Sequence, residues 1–263
     1  VAAQPRGRHV RLADGRHFPR SPRLAAELVA AAGVRPGEVV LEPGAGFGRL
    51  TAPLLAAGAR VWAVELDPDL AERLRRRFAG TAIEVVTGDA LRTALPDQPY
   101  RVVGNLPFAV TTALLRRLLA APAGPLQRID GIVEHGLAVK RTRARPSTLL
   151  SATWGPWWRL ELERVLPAAA FDPPPAVDAA VLVVRPRTTP LLDPAAAAAH
   201  AALVAAGYAV ANRPLRDAGL VPPLIWKRFA RDRGLRLDAR PRDLDVWDWI
   251  AFARARAGHR TIR

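Results

Sequence analysis

Val39-Val40-Leu41-Glu42-Pro43-Gly44-Ala45-Gly46-Phe47-Gly48 decides how this chain folds. A short apolar run without polar alternation reads as a strand covered on both faces, and the glycines after it read as a loop where backbone can approach a ligand closely. Outward from it the same pattern repeats. Val61 to Val64, Ile83 to Val86, Val102 to Val103 and Ile129 to Val133 are further apolar runs separated by helical stretches. Strands alternating with helices predict an α/β fold, a doubly wound parallel sheet. Upstream, Ser21-Pro22 followed by Leu24, Leu28, Val29 and Gly33 predicts a capped helix with proline at its first position and glycine just past its end.

Downstream the pattern changes. Arg159 to Val165 alternates as a half-exposed strand does, a proline-rich turn runs from Pro167 to Pro175, and Ala179 to Val184 is again apolar. Two strands joined without a helix are antiparallel neighbours, so the sheet is expected to finish in a hairpin. From Thr188 onward there is no strand signal, and Leu191 to Val210, Leu224 to Arg233 and Leu244 to Ala257 read as helices. The chain of 263 residues suits one large domain with an appendage: an α/β domain over 1–187 and a small all-α domain over 188–263.

The formal charge of +15 is carried almost wholly by arginine, Lys140 and Lys227 being the only lysines. A GC-rich coding bias explains the preference for arginine over lysine but not the surplus over acids, so a nucleic-acid partner is expected. The candidate phosphate contacts are Arg6, Arg8 and Arg11, then Lys140, Arg141, Arg143 and Arg145, and near the end Arg254, Arg256, Arg260 and Arg263. The absence of cysteine excludes disulfides and thiolate zinc sites, and no metal is expected. No apolar run reaches the roughly 18 residues that span a bilayer. The most hydrophobic stretch, Leu191 to Ala211, is broken by Asp193, Pro194 and His200, and the polar N-terminus has no apolar core of a signal peptide. No membrane partner and a cytoplasmic location are expected.

The glycine loop has two readings. A nicotinamide cofactor expects G-x-G-x-x-G, which would need glycine where Arg49 stands. The spacing instead resembles the acid-x-G-x-G-x-G loop of S-adenosylmethionine-dependent methyltransferases, with Glu42 the acid and Gly44, Gly46 and Gly48 the glycines. Glu65 closes the second strand twenty-one residues after Gly44, where a carboxylate can accept both hydroxyls of a ribose. Asp89 ends the third strand and can accept an adenine amine; Leu66 and Ala90 accompany these two acids in the candidate cofactor site.

Asn105-Leu106-Pro107-Phe108 follows the fourth strand and is the sharpest signal. The lone pair of an adenine N6 amine is delocalised into the ring, so a site that methylates it must free that pair and aim it. A side-chain oxygen of Asn105 and the carbonyl of Leu106 can each accept one amine hydrogen, favouring a tetrahedral nitrogen. Pro107 holds Leu106 extended, and Phe108 offers a flat face to an unstacked base.

These segments, with the later Phe171-Asp172-Pro173-Pro174-Pro175-Ala176-Val177-Asp178-Ala179-Ala180-Val181-Leu182, resemble the ribosomal RNA adenine N6-methyltransferase superfamily, in order from about Arg16 to the C-terminus. The resemblance implies S-adenosylmethionine as cofactor, a methyltransferase domain with a helical C-terminal domain, and an aromatic at Phe171 opposite Phe108 on the target base. Within the superfamily, Thr111 to Leu119, Trp154-Gly155-Pro156-Trp157-Trp158, and Pro241-Arg242-Asp243-Leu244 before Trp249 look more like the erythromycin-resistance branch than the small-subunit dimethyltransferases. That branch implies a monomer acting on large-subunit ribosomal RNA before assembly is complete, at the macrolide site. One departure stands out. The family's N-terminal Gln-Asn-Phe-Leu is matched here by Arg16-His17-Phe18-Pro19, so Arg16 is expected to meet the methionine carboxylate in place of the glutamine, and Phe18 to stay beside the cofactor. The alternatives are a small-subunit enzyme and a non-enzymatic RNA-binding descendant of the fold; the retained acids and the intact Asn105 motif disfavour the second.

Overall fold

The computed structural model describes residues 17–260. Its centre is a seven-stranded sheet: β1 (Val39–Pro43), β2 (Arg60–Glu65), β3 (Ile83–Thr87), β4 (Tyr100–Asn105), β5 (Leu126–Glu134), β6 (Trp158–Leu166) and β7 (Ala179–Pro186). The spatial order is β3-β2-β1-β4-β5-β7-β6. The first five strands run parallel, and β7 enters antiparallel between β5 and the edge strand β6. The predicted hairpin is therefore present. The strand adjoining the parallel set is the second of the two, β7, as its fully apolar run requires, while β6 keeps its polar alternate face at the edge.

Helix α1 (Pro22–Ala32) has the predicted ends: the Ser21 side chain accepts the Arg23 N–H, and Gly33 closes the helix in the left-handed region. Helices α2 (Thr51–Ala56) and α3 (Pro68–Arg77) connect the next strands, α3 being capped by Asp67. Then come α4 (Thr111–Leu118), α5 (His135–Thr142) and α6 (Leu149–Trp154). One apolar cluster, with Val102, Leu115 and Ile129, fills one face of the sheet; a second, with Val40, Leu54 and Ile132, fills the other. Burial on both faces is why the central strands read as apolar runs, whereas the edge strand β3, with Glu84 in it, is only partly buried.

After β7 there is no strand among the described residues. Helices α7 (Ala197–Tyr208), α8 (Pro223–Asp232) and α9 (Val246–Arg260) share a third core built on Trp226, Phe229, Trp249 and Phe252, to which α6 contributes Ala152. The first of these helices begins later than its hydrophobic run, because Asp193 and Pro194 form a separate 3-10 turn before it. None of the described helices is long and apolar enough to cross a membrane.

Candidate active site

In a parallel sheet the carboxyl ends of the strands face one way, and a crevice opens where neighbouring connections diverge. Here that point lies between β1 and β4. Pro43, Glu65, Thr87 and Asn105 end the four strands on this edge, and a cavity of about 340 Å³ opens over them. Of the residues predicted to hold cofactor or target, it is lined by Phe18, Gly44, Gly46, Glu65, Leu66, Asp89, Ala90, Asn105, Leu106, Pro107 and Phe108.

The glycine loop shapes its floor. Gly46 has φ +56°, and a Cβ there would collide with the Phe18 ring, so glycine is required on both counts. Its N–H donates to Glu65 Oε2 at 2.8 Å, while the Asp67 N–H donates to Oε1 at 3.0 Å. Two backbone donors thus fix the orientation of the Glu65 carboxylate, a group whose chemistry suits accepting hydroxyls. Asp89 is anchored by the Leu91 N–H at 2.8 Å. The same turn is held from behind by Arg117, which donates to the carbonyls of Ala90 and Thr93. Leu66, 65% exposed, stands at the rim as an apolar face. Among the described residues no three potential ligands converge on a metal site.

At the opposite wall the Asn105 side-chain amide donates to the His17 carbonyl. That bond uses the nitrogen and fixes which way the amide faces. Its oxygen, Oδ1, is buried without a hydrogen-bond partner. Seven buried side-chain polar atoms among the described residues share that condition, and this is the one whose residue lines the cavity. The Leu106 N–H donates to the Ile132 carbonyl, and the Pro107 carbonyl receives Val110 N–H and Thr111 Oγ1, so the whole turn is pinned to β5 and to α4.

Several expectations change. Glu42 does not border the cavity: it is 2% exposed and accepts Thr51 Oγ1 at 2.6 Å, tying β1 to the start of α2 behind the loop. Burial pushes its carboxyl up to about 8, with the neighbouring Glu65 adding to the rise against the Thr51 bond. Gly48 is also behind the cavity, where a Cβ would strike Phe78 and Leu74; it lets α3 pack against the loop. Phe171 is fully buried in the second core with Leu166 and Ala179. The backbone pairing of Phe18–Pro19 with Phe171–Asp172 turns its ring inward, so no face is open to a base. Arg16, Arg6, Arg8 and Arg11 lie outside the described residues, as does Arg263.

The basic run that begins in the last turn of α5 divides. Lys140 and Arg143 are exposed, whereas Arg141 is half-buried and donates to Thr148 Oγ1. Arg145, also exposed, is ion-paired at 3.0 Å to Asp245 and 2.5 Å to Asp248. Sequence reading missed two residues that serve the site. His17 matters through its carbonyl, its ring 5.6 Å from that of Phe108 and its Nδ1 2.9 Å from the Pro173 carbonyl; a backbone acceptor leaves no signal in sequence. Arg117 lies in the Thr111 to Leu119 segment, where nothing in the sequence marks an arginine that binds backbone carbonyls.

Comparison with known proteins gives this geometry a lineage. The family described as Ribosomal RNA adenine dimethylase matches residues 7–222. Mycinamicin-resistance protein MyrB of Micromonospora griseorubida is 36% identical over 236 residues, covering 87% of this chain and 72% of the relative. Ribosomal RNA small subunit methyltransferase A of Synechococcus sp. (strain JA-3-3Ab) is 36% identical over 255 residues, covering 91% and 90%. The crystal structure of the 23S rRNA methyltransferase ErmE superposes with a TM-score of 0.79 at 28% identity, over 91% of this chain and 99% of that one. The resemblance to erythromycin-resistance methyltransferases read from the sequence is borne out by MyrB and ErmE. The chain is an enzyme of the ribosomal RNA adenine dimethylase family.

Proposed function

We propose that this protein methylates N6 of an adenine in large-subunit ribosomal RNA at the macrolide-binding site, using S-adenosylmethionine, and so confers macrolide resistance. The observation that carries the chemistry is Asn105 Oδ1, a buried acceptor at the wall of the cavity with no donor among the described residues. Leaving a buried polar atom unsatisfied costs about 1–3 kcal/mol, which a substrate amine hydrogen would recover. The cofactor fits the residues present: Glu65 is oriented for a ribose diol, Asp89 for an adenine amine, and Leu66 for the face of a base. When bound, it supplies an electrophilic methyl group.

The chain's own residues do the rest. Asn105 Oδ1 and the Leu106 carbonyl accept the two amine hydrogens, which draws the nitrogen toward a tetrahedral geometry and localises its lone pair. Phe108 stacks on the extruded base. With Phe171 in the core, the facing wall falls to His17, whose ring already lies against Phe108. In this reading residues 1–187 are the catalytic unit and 188–263 a helical unit, the protein works as a monomer on ribosomal RNA before assembly is complete, and Arg16 meets the methionine carboxylate.

MyrB and ErmE favour the large-subunit target; the equally identical small-subunit relative favours the other. A macrolide packs against the target adenine, and a methyl group there adds bulk and removes a donor. Expression in a macrolide-sensitive bacterium, with mapping of methylated adenines, tests the reading. Resistance with a new large-subunit site is expected. Unchanged sensitivity with new small-subunit sites would contradict it.

A further inference from the structure

Beyond Arg6 to Arg11, the 140–145 run and the C-terminal arginines, the C-terminal half of α3 carries a basic cluster of which only part is paired internally. The helix ends Arg73-Leu74-Arg75-Arg76-Arg77, and a cleft of about 430 Å³ lies between Arg73, Arg76 and Arg77 on one side and Gly46 and Phe47 on the other. Gly46 also lines the cofactor cavity, so the two spaces share a wall.

The four arginines differ in how they are spent. Arg75 donates to the Val85 carbonyl and to Thr87 Oγ1, and Arg75 and Arg76 lie 3.6 and 4.0 Å from Glu72. Among the described residues no carboxylate pairs with Arg73 or Arg77. The Arg73 guanidinium lies over the Phe47 ring, 5.4 Å from its centroid, and Arg77 Nη1 donates to the Phe47 carbonyl at 2.7 Å, its guanidinium over Phe78. These contacts hold both side chains in place without neutralising them, and an ordered, unneutralised guanidinium pair is matched to a phosphodiester. Phe47 in turn meets Phe18, which continues toward His17 and the Asn105 turn.

We propose that the Arg73–Arg77 cleft binds backbone phosphate of the substrate RNA beside the target adenine. The proposal rests on the function proposed above. It makes the glycine loop double-sided, with the cofactor on one face and the substrate strand on the other.

The test is binding and methylation of a ribosomal RNA fragment by the full chain and by R73Q/R77Q, over a range of salt. Removing one arginine–phosphate pair lowers the slope of log affinity against log salt by nearly one unit, so a drop of about one to two units is expected, with affinity roughly ten-fold weaker near physiological salt. KM for RNA should rise while kcat at saturating RNA and affinity for S-adenosylmethionine hold. Arg35 and Arg60, exposed at the amino edge of the sheet, give a control of equal charge: R35Q/R60Q should change RNA affinity less than about two-fold. R73K/R77K should keep most of the slope. If R73Q/R77Q melts early, R73Q alone, which gives up no hydrogen bond, should still lower the slope by about one unit. A folded R73Q/R77Q or R73Q with wild-type slope and KM would overturn the cleft assignment alone. A wild-type chain that neither binds nor methylates the RNA would overturn the functional reading and this inference with it.

Discussion

The carboxyl edge of the sheet and the junction between the 143–148 loop and α9 treat buried polar groups in opposite ways. At the first, Asn105 presents an oxygen that no donor among the described residues reaches. At the second, Asp248 has a side chain with no exposure and receives Arg233 at 2.7 Å, Arg145 at 2.5 Å and the Asp245 N–H at 3.1 Å. The satisfied cluster fastens the helical region to the loop after α5. The unsatisfied one is stable only because the surrounding turn is pinned from three directions, which is the expected condition of a group kept ready for a substrate.

That contrast breaks most easily at Asn105. Asn105→Ala should lower kcat about 10²–10³-fold, as removal of one transition-state hydrogen-bonding group does, with RNA affinity nearly unchanged. An equal loss in RNA binding would mean that Asn105 holds the base rather than activates it. At the junction the effect falls on stability instead: Asp248→Ala should cost about 2–3 kcal/mol of unfolding free energy, since its arginine partners are partly exposed and rehydrate. Arg145→Ala should leave the salt slope of RNA binding unchanged, because its charge is internally paired; a slope reduced by one unit would restore Arg145 as a phosphate contact. In the cofactor site, Glu65→Ala and Asp89→Ala should each weaken S-adenosylmethionine by about 1–3 kcal/mol in equilibrium titration, and unchanged affinity in both would remove the acids from that site.

The two regions also have opposite pH signatures. Burial raises Glu42 from 4.5 to about 8, so unfolding releases its proton between those values and stability falls as pH rises through that window. Glu42→Gln keeps the Thr51 bond and should flatten this slope, a difference on the order of a few kcal/mol by pH 8. Burial alone would raise Asp248, but the hydrogen bonds from Arg233, the Asp245 N–H and Arg145 outweigh it and hold the carboxyl below 3.8. Its contribution is present above 3.8 and is lost as pH falls through the lower folded value. Melting profiles of wild type, Glu42→Gln and Asp248→Asn across pH separate the two.

Sequence periodicity located every strand of the sheet because the central ones are buried on both faces and the edge strands keep short apolar or alternating runs, though β6 loses its alternation at a register shift between Leu162 and Arg164. The loop spacing located the cavity because strand ends converge in a parallel sheet. What sequence left hidden is direction. Glu42 and Glu65 are both acids at strand ends, and only the fold puts one behind the loop and the other in front. Phe108 and Phe171 are both aromatics within two residues of a proline, yet the pairing with Phe18–Pro19 buries the second. Among the arginines, Arg145 and Arg73 look alike in sequence; long-range partners, one hundred residues or more away for Arg145, decide which is free.

Whether Asn105 makes an adenine N6 amine accept a methyl group is read out by nucleoside analysis of ribosomal RNA methylated by the purified protein. Wild-type protein with labelled S-adenosylmethionine should place the label in N6-methylated adenosine, and Asn105→Ala, with its cofactor and RNA affinities intact, should place about a hundredth as much or less in the same time. Label in any other nucleoside, or equal labelling by Asn105→Ala, would contradict the account.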